Sequence, residues 1–201
     1  MQTTLPSSWY LDDTIYKLER EHIFLNEWFC VGREEDLSAN GDFRVHEIQG
    51  ESIILLRNTE GKLRAFYNVC RHRGASLCAP EGSAKSLLKG GVAGKFIVCP
   101  YHAWSYDLDG QLIRAPHVPD DCDFDAKKIQ LHPVGVACWG GFVFLHLSPA
   151  KAKPFSDHVS HVSERFERYG MRDLRIARTL TYEVAANWKV ICENYNECYH
   201  C

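Results

Sequence analysis

The chain has 201 residues, with 23 Lys and Arg against 26 Asp and Glu for a formal charge of −3. Its 45% hydrophobic and 24% charged content excludes a disordered chain, and no run approaches the roughly 20 apolar residues of a membrane span. The mildly acidic balance argues against nucleic-acid binding, and the first residues lack the apolar core of a signal peptide, so a cytoplasmic protein is expected.

The opening segment, 1–40, reads as helical. Asp12 or Asp13 can cap a helix in which Leu11, Ile15, Leu18 and His22 recur at helical spacing up to Trp28. From about Gly41 the period changes to that of strands. Phe43 to Ile48 alternates, Ser52 to Leu56 is a short apolar run, Asn58 to Gly61 reads as a turn, and Leu63 to Val69 gives a further strand. Residues 79–95, with Gly, Ser, Ala and Lys, look like a flexible loop. Phe96 to Val98 and Trp104 to Tyr106 follow, then an Asp-Leu-Asp-Gly turn into Gln111 to Ile113. Val134 to Cys138 and Phe142 to Leu147 flank a Trp-Gly-Gly turn and suggest one more hairpin. Residues 41–149 thus read as a small all-β domain. Beyond it, residues 150–154 resemble a linker, Phe155 to Tyr169 a helix, Leu174 to Val184 an alternating strand, and Asn187 to Tyr199 a helix. The expected class is α+β, with residues 150–201 opening a second domain.

Nine Cys beside ten His is an unusual pairing, and an odd thiol count does not close into disulfides. Metal ligation or buried free thiols are the better readings. Two loops carry the case: Cys70-Arg71-His72-Arg73-Gly74 and Cys99-Pro100-Tyr101-His102. Each offers one thiolate and one imidazole at the end of a strand. Zinc is one occupant to consider, although zinc pairs usually stand two to four residues apart and C-x-H is tight for that. A Rieske-type [2Fe–2S] cluster fits better, because two Cys hold one iron and two His the other. Gly74 would let the backbone approach such a cluster closely.

The stretch C-R-H-R-G followed by C-P-Y-H-A-W-S-Y-D-L-D-G resembles the Rieske domain of the ring-hydroxylating, or Rieske non-haem iron, oxygenases. Respiratory Rieske proteins usually add a disulfide at positions that here hold Ala75 and Tyr101. The segment between His72 and Cys99 is longer than is usual in the oxygenases, and the excess falls in 79–95, read as a surface insertion.

The resemblance extends to Asn187-Trp188-Lys189 through Glu193-Asn194 to Glu197-Cys198-Tyr199-His200, which on its own is an amphipathic helix with Glu and His three apart. By resemblance His200 is the first ligand of a mononuclear Fe(II) held by two His and a carboxylate. Glu197 then stands where many relatives have an Asp bridging that iron site to a Rieske His, here His102, of a neighbouring subunit. The remaining iron ligands would lie beyond Cys201. The E-C-Y-H-C form leans towards the branch that oxidises quaternary amines.

The resemblance implies an oxygenase component that takes electrons, through a flavin and iron–sulfur reductase, from NAD(P)H. They pass from the cluster on Cys70, His72, Cys99 and His102 to Fe(II), which activates O2 for hydroxylation of a small substrate. A homotrimer is implied. N-demethylation of a betaine-like amine is the expected reaction, with arene cis-dihydroxylation and a ferredoxin-like electron carrier as the alternatives. Arg71 and Arg73 are either plain solvated charges or part of a reductase or subunit interface. The remaining thiols read as inert.

Overall fold

The computed structural model describes residues 4–79, 91–119 and 123–196. Among the described residues ten strands form two antiparallel sheets. The larger has the order β1-β10-β9-β4-β3-β2, the smaller β5-β6-β7-β8. The large sheet is built from β1 (Phe29–Arg33), β2 (Phe43–Ile48), β3 (Glu51–Arg57), β4 (Leu63–Tyr67), β9 (Pro133–Trp139) and β10 (Phe142–His146). The small one comprises β5 (Gly91–Ala93), β6 (Phe96–Val98), β7 (Ser105–Asp107) and β8 (Leu112–Arg114).

The apolar run predicted as a strand is β3, and its lack of alternation has a simple cause. Ile54 and Leu56 point into a core shared with Phe66, Ile97, Tyr106 and Leu112. Ile53 and Leu55, on the opposite face, join a second core with Val134, Val143 and Leu145. A strand covered on both faces has no polar side to present. The first core lies between the two sheets and under the two ligand loops, so burial of these side chains also holds the loops.

Three expectations need correction. The opening helix is interrupted: α1 (Ser8–Leu11) and α2 (Asp13–Glu19) are split at Asp12, whose carboxylate accepts from the Thr14 backbone N–H at 2.8 Å and so starts a new helix. Residues Arg20–Phe24 widen into a π-helical turn, and Phe29–Arg33 is a strand, paired with β10 from Phe29↔Leu145 to Arg33↔Phe142. Tertiary pairing decided the state of this short aromatic and branched segment. In the expected loop 79–95, Gly91–Ala93 pairs with Phe96–Val98 as a hairpin; residues 80–90 lie outside the described set. Finally, 174–184 is not a strand. It pairs with no strand among the described residues, and its apolar positions, Leu174, Ile176, Leu180, Tyr182 and Val184, are exposed. Alternation supplies a face, but a strand also needs a hydrogen-bonding neighbour, and none of the described residues offers one.

Two helices follow the sheets. α3 (Phe155–Glu167) packs on the hairpin through Phe166 against Trp139 and Phe155 against Phe144. α4 (Trp188–Asn196) is the last described element. Between them Arg33, 2% exposed, donates to the carbonyls of Gly140, Met171, Arg172 and Leu174, and to the Glu35 carboxylate. This guanidinium fastens the 171–174 stretch to the large sheet. Gly141 makes room for it, since a Cβ there would stand 2.7 Å from Arg33 Nη2.

Candidate cluster-binding site

The two ligand loops fold alike despite their different His spacing. In the first, Cys70 N–H donates to Ala75 O at 2.8 Å and Gly74 N–H to Cys70 O at 3.0 Å. In the second, Cys99 N–H donates to Trp104 O at 2.8 Å and Ala103 N–H to Cys99 O at 3.1 Å. Each loop closes through a left-handed residue, Gly74 at φ +69° and Ala103 at φ +57°. The glycine at 74 therefore answers a backbone requirement; an added Cβ would meet its nearest atom, on Val69, only at 4.0 Å.

A buried side chain outside both motifs braces the first loop. Asn68 accepts from the N–H groups of Leu77 and Cys78, both at 2.9 Å. It donates to Cys78 O at 2.7 Å and to the Ser52 and Ser76 hydroxyls at 3.1 Å. From the small sheet, the Tyr106 hydroxyl meets Cys70 Sγ at 3.3 Å and accepts from Arg71 N–H at 3.1 Å. Burial and the neighbouring Cys70 push the Tyr106 hydroxyl above its ordinary range, so it stays protonated and available as a donor.

The four candidate ligands fall into two pairs. Cys70 and Cys99, each 3% exposed, are neighbours: burial first, and then Cys70, raise the Cys99 thiol against backbone N–H groups that lower it. The imidazoles of His72 and His102 meet edge to face at 4.9 Å between centroids. His72 is held below its ordinary value by desolvation and then by His102 and Arg73. His102 Nδ1 is buried and has no hydrogen-bond partner among the described residues. An orphaned buried nitrogen is costly in a folded protein, and a metal is one group that satisfies it. Among the described residues no three His, Cys, Asp or Glu side chains are gathered as a single metal ion would require. One thiol pair and one imidazole pair, each drawn from both loops, suit two irons with two protein ligands apiece. The donor set fits a [2Fe–2S] cluster.

Other thiols are set apart by their surroundings. Burial pushes Cys78 up to about 12 and burial with Glu34 pushes Cys138 up to about 11, which keeps both as unreactive thiols. Arg71, within the first ligand loop, contacts the His132 ring.

Glu197 and His200 lie outside the described residues; the helix that leads to them is fixed in detail. Asn187 caps α4 by accepting from Lys189 N–H at 3.1 Å, and donates to Tyr10 O at 3.0 Å. Trp188 Nε1–H donates to Glu19 Oε2 at 2.8 Å, and Lys189 Nζ meets Glu19 Oε1 at 2.5 Å. Tyr10 also donates to Glu193, and the Trp188 ring packs on Phe24. The N-W-K signature is thus spent on anchoring α4 to the N-terminal segment. Sequence reasoning missed Asn68, Tyr106, Arg33 and Glu19. None of the four carried a signal: Arg33 stands in Val-Gly-Arg-Glu-Glu-Asp and Glu19 in Lys-Leu-Glu-Arg-Glu, ordinary charged surroundings.

Comparison with known proteins agrees with this geometry. A family model for the Rieske [2Fe-2S] domain matches residues 27–137, and one for the ring-hydroxylating alpha subunit catalytic domain matches 171–201. The carnitine monooxygenase oxygenase subunit of Escherichia coli K12 is 39% identical over 98% of this chain and 51% of that protein. The glycine betaine monooxygenase oxygenase subunit of Pseudomonas aeruginosa PAO1 is 37% identical over 98% of this chain and 44% of its own. This chain spans about half the length of these curated relatives. Among solved structures, the quaternary ammonium Rieske monooxygenase CntA in complex with L-carnitine superposes with a TM-score of 0.85, at 36% identity, over 98% of this chain and 54% of that one. A naphthalene 1,2-dioxygenase superposes with a TM-score of 0.65, at 28% identity, over 78% of this chain and 34% of that one. The chain belongs to the Rieske [2Fe–2S] domain family, in the group of ring-hydroxylating oxygenase alpha subunits that includes the carnitine and glycine betaine oxygenases.

Proposed function

We propose that this chain carries the electron-delivering site of an oxygenase acting on a quaternary amine, with Cys70, His72, Cys99 and His102 as ligands of a Rieske cluster. The observation that carries the reading is that the two loops bring their thiols together as one pair and their imidazoles together as another, with His102 Nδ1 buried and unpartnered. When bound, the cluster supplies one-electron storage. The protein's own part is to hold the ligands and shape their surroundings. The two thiols must lose their protons to bind; burial opposes this at Cys99, so the ionised form waits on the metal. Tyr106 then donates to the Cys70 sulfur, and a hydrogen bond there favours the more negative, reduced state.

His200 is proposed as a ligand of a mononuclear Fe(II), and Glu197 as the carboxylate linking that iron to His102 of a neighbouring subunit in a trimer. Electrons come from NAD(P)H through a flavin and iron–sulfur reductase. The quaternary-amine assignment is supported by the similarity to carnitine and glycine betaine oxygenase subunits. Hydroxylation of an N-methyl group consumes O2, two electrons and two protons. One oxygen enters the substrate and the other leaves as water; the carbinolamine then releases formaldehyde. Ring dihydroxylation is the second reading, favoured by the likeness to naphthalene 1,2-dioxygenase.

The test is reconstitution with iron and sulfide. The expected result is Rieske-type absorption and electron paramagnetic resonance (EPR), both lost in Cys99→Ser. A four-thiolate signal, or no cluster, overturns the ligand assignment. The 201 residues by themselves should not turn over glycine betaine; turnover would overturn the placement of the remaining iron ligands outside this sequence.

A further inference from the structure

The two candidate histidines belong to a continuous column of five rings. Tyr101 lies against His102 at 3.8 Å between centroids, and His102 meets His72 at 4.9 Å. His72 stacks on Trp104 at 4.6 Å with only 10° between planes, and Trp104 meets Phe124 edge to face at 5.6 Å. The two ends differ in kind. Tyr101 is 61% exposed, whereas Trp104 is 6% exposed and belongs to the core between the sheets. Phe124 is partly buried and packs against the same core. Among the described contacts, ring-on-ring packing orients both imidazoles, and only the Trp104 end is tied to the interior.

We propose that Trp104 is a positioning residue for the cluster: it fixes the plane of His72 and excludes water from that side. The proposal rests on the ligand assignment above. Its physical basis is that a ligating imidazole usually needs a partner to set its ring plane. Here a buried indole face, nearly parallel to the ring, takes that part. Reduction adds one electron and one negative charge, and a dry, apolar flank disfavours the charge. Removing the indole admits water and makes the cluster easier to reduce. Tyr101 already faces water, so its loss changes solvation little.

The experiment uses the reconstituted 201-residue chain and reads the one-electron midpoint potential and the EPR g-values of the reduced cluster. Trp104→Leu is expected to raise the potential by about 59 mV, a tenfold shift in the one-electron equilibrium, and to change the g-values. Trp104→Phe keeps an aromatic face and restores the wild-type signature to within threefold; Tyr101→Ala stays within the same limit. A Trp104→Leu protein with unchanged potential and g-values overturns the proposal, as does an equal or larger shift in Tyr101→Ala. If Trp104→Leu fails to fold, Phe124→Leu decides: it removes the buttress, keeps the indole, and should shift the potential in the same direction. No shift there overturns the proposal. Absence of a Rieske signal in the wild-type chain overturns the ligand assignment itself, a failure visible before any variant is made.

Discussion

Ala103 occupies a left-handed conformation at φ +57° without being glycine, in a loop otherwise built like the one closed by Gly74. The left-handed region costs a non-glycine residue about 1–2 kcal/mol, and glycine gives back part of that through its freer unfolded chain. Ala103→Gly should therefore be neutral or stabilising by up to about 1 kcal/mol, and Gly74→Ala destabilising by a similar amount, measured by urea denaturation of the metal-free chain. A clear loss in Ala103→Gly would refute the equivalence of the loops. Tyr106→Phe removes the hydroxyl that contacts Cys70 Sγ and Arg71 N–H. It is expected to cost about 1 kcal/mol of stability and to lower the midpoint potential, as redox titration would show. At this scale the sequence was informative where chemistry is local: Cys70 and His72, like Cys99 and His102, sit within a few residues of each other. Asn68 and Tyr106 were silent because their roles depend on partners brought near only by the fold.

Among the elements, α4 is held to the N-terminal segment by a buried ion pair. Glu19 and Lys189, both 8% exposed, form a buried pair completed by Trp188. Burial raises the Glu19 carboxyl, but the hydrogen bonds from Lys189 and Trp188 and the charge of Lys189 together outweigh it, leaving it below its ordinary 4.5. A depressed carboxylate contributes its stabilisation fully above the unfolded value and loses it as pH falls through the folded one. The α4 amides should thus lose protection against hydrogen exchange as pH drops below about 4.5. Lys189→Met strands the carboxylate and should cost about 3 kcal/mol locally at neutral pH. Unchanged exchange at residues 188–196 in that variant would show that the pair does not hold the helix. The helical periodicity of both partners was legible, but their contact was not, since a pattern within one segment names no partner elsewhere. The same limit explains 174–184, where alternation predicts a strand and no described residue pairs with it.

For the whole molecule, the β organisation and the placing of both ligand loops at strand ends followed from hydrophobic period and turn residues. The strand at Phe29–Arg33 did not, because its state is set by β10, more than a hundred residues away. The exposed apolar positions from Leu174 to Val184 form a surface of the kind that drives association. Leu180→Lys with Tyr182→Lys should change stability by no more than about 0.5 kcal/mol while reducing concentration-dependent association in sedimentation velocity. A larger loss of stability would mean that these side chains are packed. The anchor between Glu19 and Lys189 also has a meaning in time. Its partners are 170 residues apart in the chain, and at the pace of synthesis the later one emerges on the order of ten to thirty seconds after the first. Throughout that interval Glu19 lacks its partner, so the two sheets can form while the N-terminal segment waits, and its closure onto α4 belongs among the last events of folding.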